Sequence, residues 1–245
     1  MKDIQNLPDH RRINIKKVGV KDISYPIKVL DKARHHQSSV ATVNMYVNLP
    51  HHFKGTHMSR FVEILNRFHG SINIKSFHTI LEEMKERLQA EDAHIEMEFS
   101  YFLKNETGQQ GMVGINKYTC RMHGSLAQKD ELTLNIQVPI YPPLTSQADD
   151  SLPSSLGRWG IADISFSFKH FIWIEDLIKM IEEVTLHDLD WSVAPCEATG
   201  RALSVESITH AIGKKLARNE DISRFTVTVK NLAVGYNTFA TLEGP

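Results

Sequence analysis

The stretch HIEMEFSYF, residues 94–102, alternates polar and apolar side chains from His94 to Tyr101. Ile95, Met97, Phe99 and Tyr101 point one way and His94, Glu96, Glu98 and Ser100 the other, because successive side chains of a strand project to opposite faces. A chain containing it must build a sheet with one face in a core and one face turned to polar surroundings. VATVNMYVNL, residues 40–49, repeats the pattern, is rich in valine and is stopped by Pro50. NKYTCRMHGSL and ELTLNIQVPI predict two more strands joined by the polar turn AQKDE. Farther along, ISFSFKHF places Ile164, Phe166 and Phe168 on one face, and FTVTVKNLAV reads as a closing strand.

Between these strands the apolar period changes from 2 to 3.6 in two pairs of segments. Residues 57–68 space Met58, Phe61, Ile64, Leu65 and Phe68 along a helix, and TILEEMKERLQA predicts a second one, with Thr79 and Glu82 as a capping box. WIEDLIKMIEEV turns Trp173, Leu177, Ile178, Ile181 and Val184 inward, and residues 204–218 bury Val205, Ile208, Ile212 and Leu216. Strands, two helices and strands thus occur twice. The fold class is α+β, with two tandem ββααββ modules whose antiparallel sheets carry helix pairs on one face. Residues 1–16 are polar and contain Pro8, and they read as a flexible leader. The first module takes 17–125 and the second 126–245, which includes the Pro-, Ser-, Gly- and Asp-rich loop 141–160. The other face of each sheet remains to be covered, so a homo-oligomer is expected.

With 245 residues and 41% hydrophobic content, the chain can bury a sizeable core. Its 28 basic and 29 acidic residues are interspersed, which argues against a nucleic-acid partner. No apolar run approaches the roughly 20 residues of a membrane-spanning helix, so no membrane partner is expected and a cytoplasmic location is. The two cysteines, Cys120 and Cys196, stand far apart without metal-knuckle spacing, which suits a reduced compartment.

Several strings carry a family resemblance: VGVKDISYPI, VATVNMYVNLP, FKGTHMSRFVEILN, ILEEMKERLQAEDAHIEMEFSYF, YTCRMHGSL and WIEDL. Together they resemble the type IB GTP cyclohydrolases of the tunnelling fold, most specifically in GTHMSRF. The likeness is nearly continuous from Asp3 to Pro139 and thinner beyond. It implies a tetramer with active sites at subunit interfaces, and GTP or a related purine or pterin as ligand. The implied reaction opens the GTP imidazole ring at C8, releases formate and yields 7,8-dihydroneopterin triphosphate for pterin and folate biosynthesis.

That chemistry needs a divalent metal such as zinc to supply hydroxide at neutral pH. The resemblance also locates the family's ligands, and there this sequence departs from it. Counted without gaps from Val138, the family's metal-ligating cysteine falls on Ser146, its first histidine on Leu156 and the arginine of its GAHNQR motif on Trp159. The C-terminal histidine-bearing segment falls on residues 233–236, which puts Val234 at a ligand position and Tyr236 at its end. Glu197 is a counterpart for the family's carboxylate ligand, and neighbouring Cys196 reads either as a replacement thiolate or, with nothing nearby in the sequence to lower its pKa, as an ordinary loop cysteine. No metal or other cofactor is therefore assigned, and catalysis is expected to be impaired.

Glu206, in SVESITHAIGKKL, matches the glutamate with which the family grips a purine or pterin edge, a task for which a carboxylate accepting two N–H bonds is suited. Read from the residues alone, it is equally a solvated helix residue. His57, at a helix start, reads either as a contact to a ligand phosphate or as a solvated first-turn residue. Glu206 and His210 stand four apart, as two metal ligands or as a surface pair. The dipeptides His35-His36 and His51-His52 read as parts of polar loops, and Cys120 as a small core residue. The competing function is a non-catalytic purine- or pterin-binding paralogue that acts through assembly.

Overall fold

The computed structural model describes residues 15–32, 35–49, 57–68, 74–104, 114–141, 159–185, 204–232 and 235–245. Among the described residues, eight strands and four helices follow one another as ββααββ twice: β1 (Ile15–Asp31), β2 (His35–Leu49), α1 (Met58–Arg67), α2 (Ile74–Leu88), β3 (Ala93–Lys104) and β4 (Ile115–Leu126), then β5 (Asp130–Ile140), β6 (Gly160–Phe168), α3 (Ile174–Glu183), α4 (Val205–Leu216), β7 (Ile222–Leu232) and β8 (Asn237–Gly244). The strands hydrogen-bond in chain order, β1 to β8. The chain divides into two compact units, Met1–Tyr101 with Cys120–Thr133, and Phe102–Thr119 with Leu134–Pro245. None of the described helices is long and apolar enough to cross a membrane.

In the first unit, β2 pairs antiparallel with β3, setting Ala41 opposite Phe99, Val43 opposite Met97 and Met45 opposite Ile95. All six of these side chains are buried. They meet Phe61, Ile64 and Leu65 of α1 and Phe77, Ile80, Leu81 and Met84 of α2, which are likewise buried. Each large apolar side chain removed from water contributes about 1.5–3 kcal/mol, so the two helical stripes and the sheet face hold each other in place. β1 pairs with β2 through two register shifts. At the second of these Asp22 has φ 58°, and Asn44 Oδ1 accepts the Asp22 N–H at 2.9 Å. A bulge of this kind leaves one residue out of the ladder, and the Asn44 side chain satisfies the N–H so released.

The second unit repeats the plan. Ile136 faces Ile164 across β5 and β6, Ile164 faces Val227, and Val227 faces Leu242 of β8. Leu177, Ile178, Ile181 and Val184 of the α3 region and Val205, Ile208, Ile212 and Leu216 of α4 are buried, as their spacing predicts. α4 lies close on β8: a Cβ at Gly213 would stand 2.8 Å from Leu242 Cδ2, so a glycine inside this helix permits the approach.

Five expectations are corrected. Trp173 is not on the buried stripe of α3 but is its half-buried N-cap. The second helix begins at Ile74 rather than at Thr79, which puts Thr79 inside α2 and removes the Thr79/Glu82 capping box. FTVTVKNLAV is not the last strand, because β8 follows it. His35 and His36 are not in a loop but open β2, both exposed, with His35 at φ 66°. Met58, the first residue of α1, is 40% exposed and so lies off the buried stripe. His51 and His52 lie outside the described residues.

Candidate functional site

Helix α4 starts with a reciprocal cap. The Ser204 hydroxyl accepts the Ser207 N–H at 3.2 Å, and the Ser207 hydroxyl accepts the Ser204 N–H at 3.0 Å. This places two otherwise orphaned amide donors in hydrogen bonds. Val205, Ile208 and Ile212 then fix the helix face, leaving Glu206 in the first turn turned to solvent. The Ser204 hydroxyl, with the Glu206 N–H, holds the Glu206 carboxyl below its usual range. The group is thus an ionised, exposed carboxylate at the positive end of a helix, and a carboxylate has lone pairs beyond those two bonds to offer a ring edge.

His210, one turn on, is also exposed. It borders a cleft of about 450 Å³ with Lys214, Leu242 and Glu243, and Glu206 does not line that cleft. The two residues share a helix but not a cavity, which favours the surface-pair reading. His57 is the N-cap of α1, with extended backbone at φ −75° and ψ 109° and no side-chain capping bond. It belongs to the first unit and Glu206 to the second.

Two further polar groupings escaped the sequence reading. On the first unit's helix-free face, Glu96 accepts from the Tyr46 hydroxyl at 2.8 Å and from Asn44 Nδ2 at 3.0 Å. Burial would raise the Glu96 carboxyl, but these bonds and Lys17 outweigh it and hold it low. Burial and then Glu96 push the Tyr46 phenol up to about 12. In the second unit the Tyr118 hydroxyl donates to Glu182 Oε1 of α3. Burial raises the Glu182 carboxyl despite that bond, and burial followed by Glu182 raises Tyr118. Cys120 is buried and its thiol pushed up to about 12, so it is an inert core residue.

The sequence profile described as type I GTP cyclohydrolase folE2 matches residues 1–232. The chain belongs to the type I GTP cyclohydrolase FolE2 family. It is 38% identical to the GTP cyclohydrolase FolE2 of Syntrophus aciditrophicus (strain SB), with 99% of each chain covered. With the protein of the same description from Syntrophobacter fumaroxidans it shares 41% identity, again over 99% of each. Among solved structures it resembles a uricase from Bacillus fastidious, with a TM-score of 0.60 at 10% identity, covering 94% of this chain and 92% of the other. The uricase of Arthrobacter globiformis gives a TM-score of 0.55 at 6% identity, with 94% and 92% covered. Likeness at such identities establishes the tunnelling fold and nothing of the chemistry.

For this FolE2 family member the expected metal positions, Ser146, Leu156, Glu197 and Val234, lie outside the described residues, as does Cys196. A hydroxyl and two hydrocarbon side chains at three of those positions do not make a donor set for a divalent metal. Among the described residues no group of three or more His, Cys, Asp or Glu is placed to hold one.

Proposed function

We propose that this FolE2 family chain is of the IB type, binds a purine or pterin ring through Glu206, and is impaired in hydrolytic ring opening. The observation that carries the binding half is the ionised, solvent-facing carboxylate at a capped helix start, at the position where the family grips its ring. The impairment follows from the chemistry of Ser146, Leu156 and Val234: without an activated water, attack at C8 lacks its nucleophile at neutral pH. His57 serves as a contact for a ligand phosphate, and the working form is a cytoplasmic homo-oligomer, a tetramer by the family pattern.

Calorimetric titration of guanine nucleotides, neopterin and biopterin into the wild type and Glu206→Gln tests the binding. Glutamine keeps the shape but replaces one acceptor with a donor, so affinity should fall roughly tenfold to hundredfold. Failure of the wild type to bind any of these rings, or equal binding by the variant, would overturn the assignment. Formate release from GTP should remain at background and the purified protein should hold no stoichiometric metal. Turnover anywhere near the usual enzyme range of about 1–10³ s⁻¹, or one tightly held ion per subunit, would refute the impairment.

A second reading, a non-catalytic paralogue acting through assembly, is favoured by one observation. Leu232, Tyr236 and Phe239, where β7 ends and β8 begins, are 37%, 70% and 67% exposed. Apolar side chains gathered at one place suit a protein contact. Absence of ring binding together with a stable oligomer on sedimentation would select it.

A further inference from the structure

On the helix-free face of the first unit, side chains from four successive strands stand in a row. Lys17 of β1 sets its ammonium 3.4 Å from the centroid of the Tyr46 ring. Tyr46 of β2 stacks on His94 of β3 at 4.8 Å with the rings 17° apart. His94 in turn faces His123 of β4 at 6.2 Å and 20°. The register explains the row, since Tyr46 sits directly opposite His94 and, on its other side, opposite Gly19, which has no side chain to occupy the ring face that Lys17 covers. The bonds from Tyr46 and Asn44 to Glu96 anchor the ring beneath.

We propose that His94 and His123 form an acid-sensitive contact between β3 and β4. Neutral, the two rings stack and extend the row; when both take up protons, like charges stand face to face and the row opens at this point. The groups facing His94 are Lys17, Tyr46, Asp92, Glu96 and His123. Burial, then the His123 ring, with Lys17 adding to them, outweigh the opposing pull of Asp92 and Glu96, so the His94 imidazole titrates below its ordinary value. His94 Nδ1 is moreover buried with no hydrogen-bond partner among the described residues, so a proton placed there would meet no acceptor. An imidazole with a depressed value binds fewer protons folded than unfolded. Its contribution to stability is present above the unfolded value of about 6.5 and is lost as the pH falls below it.

The test uses the full chain and His123→Phe, which keeps a stacked ring and the burial of His94 but removes the charge. Imidazole NMR titration should show His94 titrating below about 6.5 in the wild type and moving upward in the variant. The ring-current shift between His94 and the ring at position 123 should be present at neutral pH in both proteins and fade in acid only in the wild type. Melting temperature should fall more between pH 7.5 and pH 5 in the wild type than in His123→Phe, by about 2–4 °C for a chain of this size. The other histidines cancel in that difference. If His123→Phe does not fold, His123→Gln gives the titration and melting readings without the ring. An unchanged His94 titration in the variant, or equal acid sensitivity of the two proteins, overturns the proposal.

Discussion

Replacing Tyr118 with phenylalanine should destabilise the second unit by an amount that depends on pH. Tyr118 is 2% exposed, and its hydroxyl donates to Glu182 of α3. The substitution keeps the ring and its packing but leaves a half-buried carboxylate short of a donor. At pH 8 that carboxyl is ionised and the lost bond is charge-assisted, so stability should fall by about 1.5–3 kcal/mol. A change of 1 kcal/mol moves the melting temperature of a chain this long by about 2–4 °C, which predicts a drop of about 3–12 °C. At pH 4 the carboxyl, raised by burial above 4.5, is mostly protonated and the loss should shrink to about 0.5–1.5 kcal/mol. The sign follows from linkage: a raised carboxyl contributes stability below its unfolded value and loses it as pH rises through the folded one. The tyrosine tempers that loss, so the variant should decline more steeply above pH 4.5. Urea unfolding at both pH values measures it, with an unchanged m-value showing that the unfolded state is the same. Equal losses at the two pH values would refute the reasoning, as would a loss at pH 8 below about 0.5 kcal/mol.

Ser204→Ala removes one half of the reciprocal cap on α4 and should lower stability by about 0.5–2 kcal/mol, read from thermal melts, while weakening ring binding by displacing Glu206. Gly19→Ala has no room, since its Cβ would stand 1.9 Å from the Met45 carbonyl oxygen. Backbone cannot move aside as a side-chain tip can, so a loss of at least about 1–3 kcal/mol is expected on urea unfolding, together with loss of the Lys17–Tyr46 contact.

Which parts of this fold could be read from the sequence depended on whether a segment has one wet face. β3 was legible because its burial alternates nearly residue by residue, as HIEMEFSYF does. α3 and α4 were legible because their apolar residues recur at helical spacing and, Trp173 apart, lie buried where expected. β1 was not, because its register shifts put the apolar residues before and after Asp22 out of phase. β8 has exposed residues along most of its length and so no pattern to find. The start of α2 was missed because Thr79 has the chemistry of a cap, and only the tertiary structure shows the helix running on behind it to Ile74. At the candidate site the sequence could place Glu206 on a helix by its neighbours. It could not bring Lys17, Tyr46, His94 and His123 together, since that row exists only through cross-strand register. The polar positions of VNMYVNL and HIEMEFSYF were the available signal: they named the residues of the wet face without saying which would touch.

The strand order β1 to β8 also shapes how the chain folds as it is made. Every strand finds its partner in the one synthesised just before it, so none waits for a distant segment to appear. The longest closures occur where a helix pair intervenes, from Leu49 to Ala93 and from Phe168 to Ile222. Closure entropy grows only logarithmically with the length of the loop, and the helices shorten these connections further by folding within them. Pairing between neighbours keeps contact order low for a chain so rich in strands, which predicts faster folding than a sheet of the same size with crossed connections. While α1 and α2 are emerging from the ribosome, the finished β1–β2 hairpin still has both outer edges open, and α1 can lay Phe61, Ile64 and Leu65 on its apolar face before β3 arrives.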